Sequence, residues 1–361
     1  MEATPSNSPS SRRFDGVHMR KQHGLSLVEL MVAMALGLVI SLAVLQVFIS
    51  NKNTFLLQGA AGHLQENGRF ALQYLAAELR PAGVGVGTRL DEKDICVVAS
   101  NGTAAEWGSM NRPIWGKRNA AAGGLGAVGT DELSIFANDG CESFLTAGEL
   151  LKPGQNANLK VTAYCPSMQK DHAVMVLDME KAVVVRITNK PNSSGSGQVT
   201  LTHAAGNNDK NAKCGGFKFS DIQFTSPARV VGFAHKTFYV ADTGRTSVTG
   251  QPVRALFVRD TAQVPVQTNE IIEGVESLRT SFGVAAGNNV GVQAYLSPTE
   301  VEAANRWSDV RTVKFDLLLV SEERVTGAQD QAIQFGGATV AADGRLRQVF
   351  STVVALRNRI D

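Results

Sequence analysis

The chain has 361 residues, of which 43% are hydrophobic and 19% charged, enough apolar material for a real core, which excludes wholesale disorder. The formal net charge is +2, and the excess sits before Leu25, where Arg12, Arg13, Arg20 and Lys21 face only Glu2 and Asp15. Without those residues the 35 basic and 33 acidic side chains fall to 31 of each, which excludes a globally basic nucleic-acid binder.

The first element is an apolar run. From Leu25 to Ile49 the only ionised side chain is Glu29. At 1.5 Å per residue about 20 residues cross a bilayer core, so the run is long enough. Arg20 and Lys21 precede it and favour a cytoplasmic N-terminus. A secretory signal peptide has a shorter apolar core followed by a small-residue cleavage site. A plain single-span anchor fits the length but leaves Glu29 unexplained. A carboxylate at mid-membrane costs roughly 2.5–3.5 kcal/mol, less near the edge, so it usually has a partner or a task.

"RKQHG" followed by "LSLVELMVAMALGLVISL" resembles the class III signal of type IV pilins and type II secretion pseudopilins. Basic leader, Gly, small polar residue, Glu and apolar run occur in that order. The resemblance implies that a prepilin peptidase cuts after Gly24 on the cytoplasmic side. It implies N-methylation of the new terminus, Leu25. It also implies that Glu29 pairs with the N-terminal amine of a neighbouring subunit during assembly. Two charges that are expensive alone in lipid become tolerable together. The family more often has Phe at the first mature position, so Leu25 is a mild departure. "MRKQHG" from Met19 is a typical short leader by itself, and the Ser-, Pro- and Asn-rich residues 1–18 read as disordered. Met19 is therefore a candidate start, with residues 1–18 then untranslated.

The helical pattern continues past the apolar run. Leu57, Ala61, Leu64, Gly68, Ala71, Leu75 and Leu79 recur at steps of four and three, one face of a helix. Pro81 and the "GVGVG" of Gly83–Gly87 should end it. That glycine run lacks the spacing of a dinucleotide fingerprint and reads as a helix exit. "LQENGRFALQYLAAELRPAG" (Leu64–Gly83), with the N-terminal segment, resembles PilW-type minor pilins of type IVa pili. "YVADTGR", "EGVESLRTSFGV" and "VFSTVVALRNR" extend that resemblance to the C-terminal part.

After about Thr88 the pattern turns to strands, in keeping with 35 Gly, 11 Pro and frequent Val and Thr. Strands are expected at Asp131–Ala137, Leu159–Tyr164, Ala182–Thr188 and Gln198–Thr202. A hairpin is expected over Lys236–Asp260 and a last strand over Leu346–Asn358. In Val310–Ser321 the alternation puts Val313, Phe315, Leu317 and Leu319 on one face. One short helix interrupts: Ser297 is a candidate N-cap, with Pro298 in the first turn and Glu300 closing a capping box. Asn119–Gly129, Asn189–Gly197 and Gly206–Gly216 read as linkers.

Little in the sequence points to catalysis. The histidines, His18, His23, His63, His172, His203 and His235, form no metal-protease motif and stand at no zinc-finger spacing from a cysteine. No nucleophile elbow or P-loop occurs, and "SSGSG" around Ser194 reads as a loop. Asn207, Asn208, Asp209 and Asn211 offer oxygen ligands without the spacing of a calcium loop, so a solvated turn is the better reading. Trp107, Trp115 and Trp307 read as core, and Arg254, Arg259, Arg345 and Arg347 as solvated strand faces. Cys96, Cys141, Cys165 and Cys214 lie after the apolar run and form no CxxC pair. Their even count and wide spacing fit disulfides in an oxidising compartment, with three connectivities open; buried free thiols are the alternative.

The expected fold is α+β and pilin-like, a long N-terminal helix packed on a large, mainly antiparallel β-rich head. The expected organisation is a leader (residues 1–24), a transmembrane or filament-core helix (25–50), an amphipathic helix (51–80) and a periplasmic head (88–361). The expected function is a non-enzymatic minor pilin that takes part in type IV pilus assembly as part of a priming or tip complex, supporting twitching motility and adhesion. The resemblance implies as partners the prepilin peptidase, other minor pilins, a tip adhesin, the major pilin and the inner membrane, with no cofactor, metal or specific nucleic acid. The rivals are a type II secretion pseudopilin and, from another class, a membrane-anchored periplasmic enzyme or binding protein.

Overall fold

The apolar run and the amphipathic stretch after it form one uninterrupted helix, α1 (Leu27–Leu79). It stops where Pro81 removes a donor and biases the preceding residue away from helix. The computed structural model describes residues 24, 26–83, 90, 94–99, 107, 112–119, 122–146, 158–193, 197–206, 208–209, 213–214, 217–218, 222–225, 227–247, 250–286, 291–325 and 332–356. Two compact units are distinguished, Met1–Thr54 and Phe55–Asp361. In the first, the apolar side chains of α1 are exposed, Leu27 by 74% and Val39 by 64%. In the second, Leu64, Gly68, Ala71, Leu75 and Leu79 are buried, as the four-and-three spacing predicts.

The head opens with β1 (Ile95–Val97), β2 (Ile114–Arg118) and the long β3 (Asp131–Phe144). β4 (Asn158–Val161), β5 (Ala173–Leu177), β6 (Ala182–Arg186), β7 (Asn192–Ser193) and β8 (Val199–Thr202) follow. Then come β9 (Lys213–Cys214), β10 (Phe217–Lys218), the long β11 (Arg229–Thr246), β12 (Pro252–Asp260) and β13 (Gln267–Glu273). The chain continues through β14 (Val275–Ala285), β15 (Val292–Leu296) and helix α2 (Pro298–Ala303). It ends with β16 (Val310–Arg324), β17 (Ile333–Phe335), β18 (Ala338–Val340) and β19 (Arg345–Ala355). Ser297 caps α2 with the full capping box expected from its sequence.

Two sheets dominate. The larger has the order β1-β6-β5-β11-β12-β13, with β3 also on β11 and β2 on β3; the smaller is β15-β14-β16-β19. The smaller sheet is antiparallel throughout, and so is the larger except for β1 on β6. The buried face of α1 joins one core with Phe238 and Val240 of β11, Leu256 of β12, Phe282 of β14 and Phe315 and Leu317 of β16. Val313, Phe315, Leu317 and Leu319 are all fully buried. Gly68 lets β19 approach: a Cβ there would lie 2.5 Å from the Phe350 ring. Lys236 of β11 closes the helix–sheet contact, its Nζ 2.7 Å from Glu78 Oε2.

Two further contacts tie the sheets together. Gly274 is the one residue between β13 and β14; its N–H donates to the Arg254 carbonyl and its carbonyl accepts from the Val320 N–H. Its φ of 77° is a left-handed conformation that favours glycine. The Asp131 carboxylate, fully buried, accepts from Arg118 Nε (3.0 Å) on β2. It accepts also from Arg279 Nη1 (3.3 Å), the Thr280 N–H (2.8 Å) and Thr280 Oγ1 (3.2 Å) on β14.

Some expectations need correcting. The hairpin expected from Lys236 starts earlier, because β11 reaches back to Arg229. The strand expected over Leu159–Tyr164 is Asn158–Val161. Asn119–Gly129 is no linker: Glu132 Oε1 accepts from the Leu125 and Gly126 N–H groups, and the Ala127 N–H donates to the Val240 carbonyl. Arg345 and Arg347 are not solvated: their side chains are 11% and 5% exposed, paired with Glu276 and Asp343. Burial pushes the Asp343 carboxyl up, but hydrogen bonds from Arg347 and Arg345 outweigh it and hold it well below the usual carboxylate range.

Removing the Asp131 carboxylate leaves Arg118 and Arg279 without their shared anion and the Thr280 N–H without an acceptor. Asp131→Ala should cost about 3 kcal/mol, and Asp131→Asn less, in urea unfolding of the detergent-solubilised chain. A loss below about 1 kcal/mol for Asp131→Ala would show that the sheets are held elsewhere.

Candidate functional site

The start of α1 is the first candidate. Ser26 precedes the helix, and Glu29 is the acidic residue of its first turn. The Ser26 N–H donates to Glu29 Oε2 at 3.1 Å, and the Glu29 N–H donates to Ser26 Oγ at 3.1 Å. This reciprocal pair is a capping box: it satisfies helix-end donors that would be orphans in an apolar medium and puts a negative charge at the positive end of the helix dipole. Gly24 is exposed just before it. Leu25 lies outside the described residues. Beyond Glu29, α1 is the one helix among the described residues long and apolar enough to cross a membrane.

The other candidate residues do not converge on one site. Cys141 and Cys165 are disulfide-bonded with their Cα atoms 5.5 Å apart. Cys96 is also disulfide-bonded, and the Cys214 side chain lies outside the described residues. Among the described residues no group of three or more His, Cys, Asp or Glu could hold a metal ion. Asn208, one of the candidate cation ligands, is a buried clamp: its Oδ1 accepts from the Arg186 N–H, and its Nδ2 donates to the Arg186 and Ala204 carbonyls. Asn207, Asn211 and Ser194 lie outside the described residues. Trp107 and Trp307 are core residues, the first donating to Thr261 Oγ1 at 2.9 Å.

His18 and His23 lie outside the described residues, and His63 is exposed on α1. His235 is buried beside Trp115 and Phe136, with its Nδ1 on Thr261 Oγ1. Burial first, and then the Arg259 guanidinium, push its pKa down to about 3. It is therefore a neutral core group at neutral pH rather than a proton carrier.

A cleft of about 540 Å³ escaped the sequence reading, because its walls come from separate segments. The α1 side chains Leu56, Ala60 and Leu64 form one wall. Arg254, Glu273 and the end of β16 at Ser321–Arg324 form the other. Its rim carries both signs of charge.

The His235 shift sets a pH dependence. Between pH 6.5 and about 3 the unfolded chain binds a proton at this imidazole and the folded chain does not, so stability falls as pH falls. From pH 6.5 to 4.5 the wild type should lose about 2–3 kcal/mol more than His235→Gln, as read by urea midpoints at both pH values. Parallel losses in the two proteins would refute a buried neutral imidazole.

Two families match the chain. Residues 237–358 match "Type IV Pilus-assembly protein W". Residues 19–45 match "Prokaryotic N-terminal methylation motif". No curated protein matches, and no solved structure matches.

Proposed function

We infer that this chain, a PilW-type minor pilin of type IV pilus assembly by its two family matches, works as a processed, membrane-anchored subunit of a priming or tip complex. The prepilin peptidase cuts between Gly24 and Leu25 and methylates Leu25. The helix over residues 25–50 then stays in lipid or a filament core, the helix over 51–80 joins the head, and residues 88–361 form the head in the periplasm. Arg20 and Lys21 before the span favour this orientation, as do disulfide-bonded cysteines in the head. The role is structural, with no reaction catalysed.

The observation that carries this reading is Glu29, a capped carboxylate one turn into an otherwise uncharged span, at the end of the chain that matches the methylation motif. In lipid, pairing with the amine of a neighbouring subunit's Leu25 offsets the cost of both charges and sets the axial register between subunits. The partners are the other minor pilins, a tip adhesin and the major pilin, and the outcome is twitching motility and adhesion. The match over residues 237–358 favours the pilus over a type II secretion pseudopilin.

A clean deletion strain should lose surface pili and twitching while keeping protein secretion, and the intact reading frame should restore both. Complementation with Glu29→Ala should give at least about tenfold fewer pili, because an unpaired charge costs more than about 1.4 kcal/mol in lipid except close to the edge. Normal pili with defective secretion would make the chain a pseudopilin. Unchanged pilus number with Glu29→Ala would remove the pairing mechanism.

A further inference from the structure

We propose that the head carries a disulfide-locked lobe that opens separately from the helix-bearing scaffold, with the β-bulge between Asp139 and Gly232 as its hinge. The lobe is made of the far end of the β3–β11 ribbon with β1 and β4 to β8. The scaffold is α1, β12 to β16 and β19 with the near end of the same ribbon.

The ribbon itself draws the boundary. β3 and β11 pair from Leu133–Phe238 to Phe144–Arg229, and their register shifts between Val231 and Phe233. On its other side β11 changes partner across the same point. Arg229–Gly232 pair with β5, whereas Lys236 onward pairs with β12. The bulge is a built feature. Asn138 Oδ1 accepts from the Gly140 N–H and Asp139 Oδ1 from the Cys141 N–H, both at 3.0 Å. Gly140 has φ 90°, and any side chain at Gly232 would collide with the Asp139 carboxylate. Bulges of this kind bend a strand and interrupt its ladder.

Two of the cores lie on either side of this point, and a third, in which Met175 and Val184 pack with Phe136 and Phe233, spans it. The scaffold core runs from Leu64 on α1 to Leu356 and contains no cysteine. Cys96, Cys141 and Cys165 all belong to a second cluster, with Leu159, Val174, Val183, Leu201 and Val230. Cys141 follows the bulge directly and bonds Cys165 beyond β4, across a separation of 24 residues. The neighbouring sheet, β4-β8-β7, has strands of four, four and two residues. Strands that short are marginal without a staple. The match to the pilus-assembly family starts at residue 237, past the bulge, and contains none of the cysteines.

Opening the lock takes two electrons and two protons from a dithiol, which closes to its own disulfide and leaves two cysteine thiols. Losing a cross-link of this loop length should raise opening of the lobe by roughly a few hundredfold. This inference does not rest on the pilus reading.

The test is hydrogen exchange of the full chain in detergent, with and without dithiothreitol, and of the Cys141→Ala/Cys165→Ala variant. Amides of β4, β5, β6 and β8 should exchange on the order of a hundredfold faster or more, and those of β14, β16 and β19 within about twofold of the untreated rate. Acceleration spread evenly over the head, or absent from the lobe, would overturn the proposal. Should the variant not fold, the dithiothreitol arm decides. A bond that resists dithiothreitol in the native chain would overturn it too, because a lobe that opens by itself exposes Cys141 and Cys165.

Discussion

The carboxylate of Asp131 binds two sheets that share almost no backbone. It starts β3, lies fully buried, and takes hydrogen bonds from β2 on one side and β14 on the other. A buried anion is tolerable only when paired and hydrogen-bonded, so its partners must stay where they are. That requirement holds the smaller sheet at one angle to the larger one. Gly274 then carries the chain across in a single residue, bonded to both sheets through its own peptide groups. With the sheets held, their inner faces form the seat for the buried face of α1.

The helix answers to two environments along its length. Before Phe55 its apolar side chains are exposed on all sides, the pattern of a segment solvated by lipid or by other helices. After Phe55 apolarity narrows to a stripe, and Gly68 in that stripe leaves room for Phe350. No helix breaker separates the halves, so the change is one of side chains on a continuous backbone. The cap at Ser26 and Glu29 finishes the apolar end with groups from the chain itself.

Much of this could be read in the residues, where period and local chemistry decide. The stripe on α1, the capping box on α2 and the buried face of β16 all repeat at their element's period, and all are present. The extension of β11 to Arg229 lies before the hairpin expected from Lys236, and Gly232 within it makes room for Asp139. Arg345 and Arg347 read as solvated because Glu276 stands about 70 residues away, and only the fold brings it within reach. Asn119–Gly129 looks like a linker by composition, but the glycines let its backbone wrap the Glu132 carboxylate. The Cys141–Cys165 bond has no local signature among three connectivities.

The bulge at Asp139 has a consequence for what the chain can tolerate. A one-residue slip in an ordinary ladder turns every inward side chain outward. In the β3–β11 ribbon, the stretch from Leu133 to Asn138 keeps its own register with Phe233 to Phe238, whatever happens past the bulge. The irregularity acts as an expansion joint. Lengthening or shortening the chain between Gly140 and Gly232 is compatible with Leu133, Ile135 and Phe238 facing α1, provided that Met175 and Val184 still pack on Phe136 and Phe233.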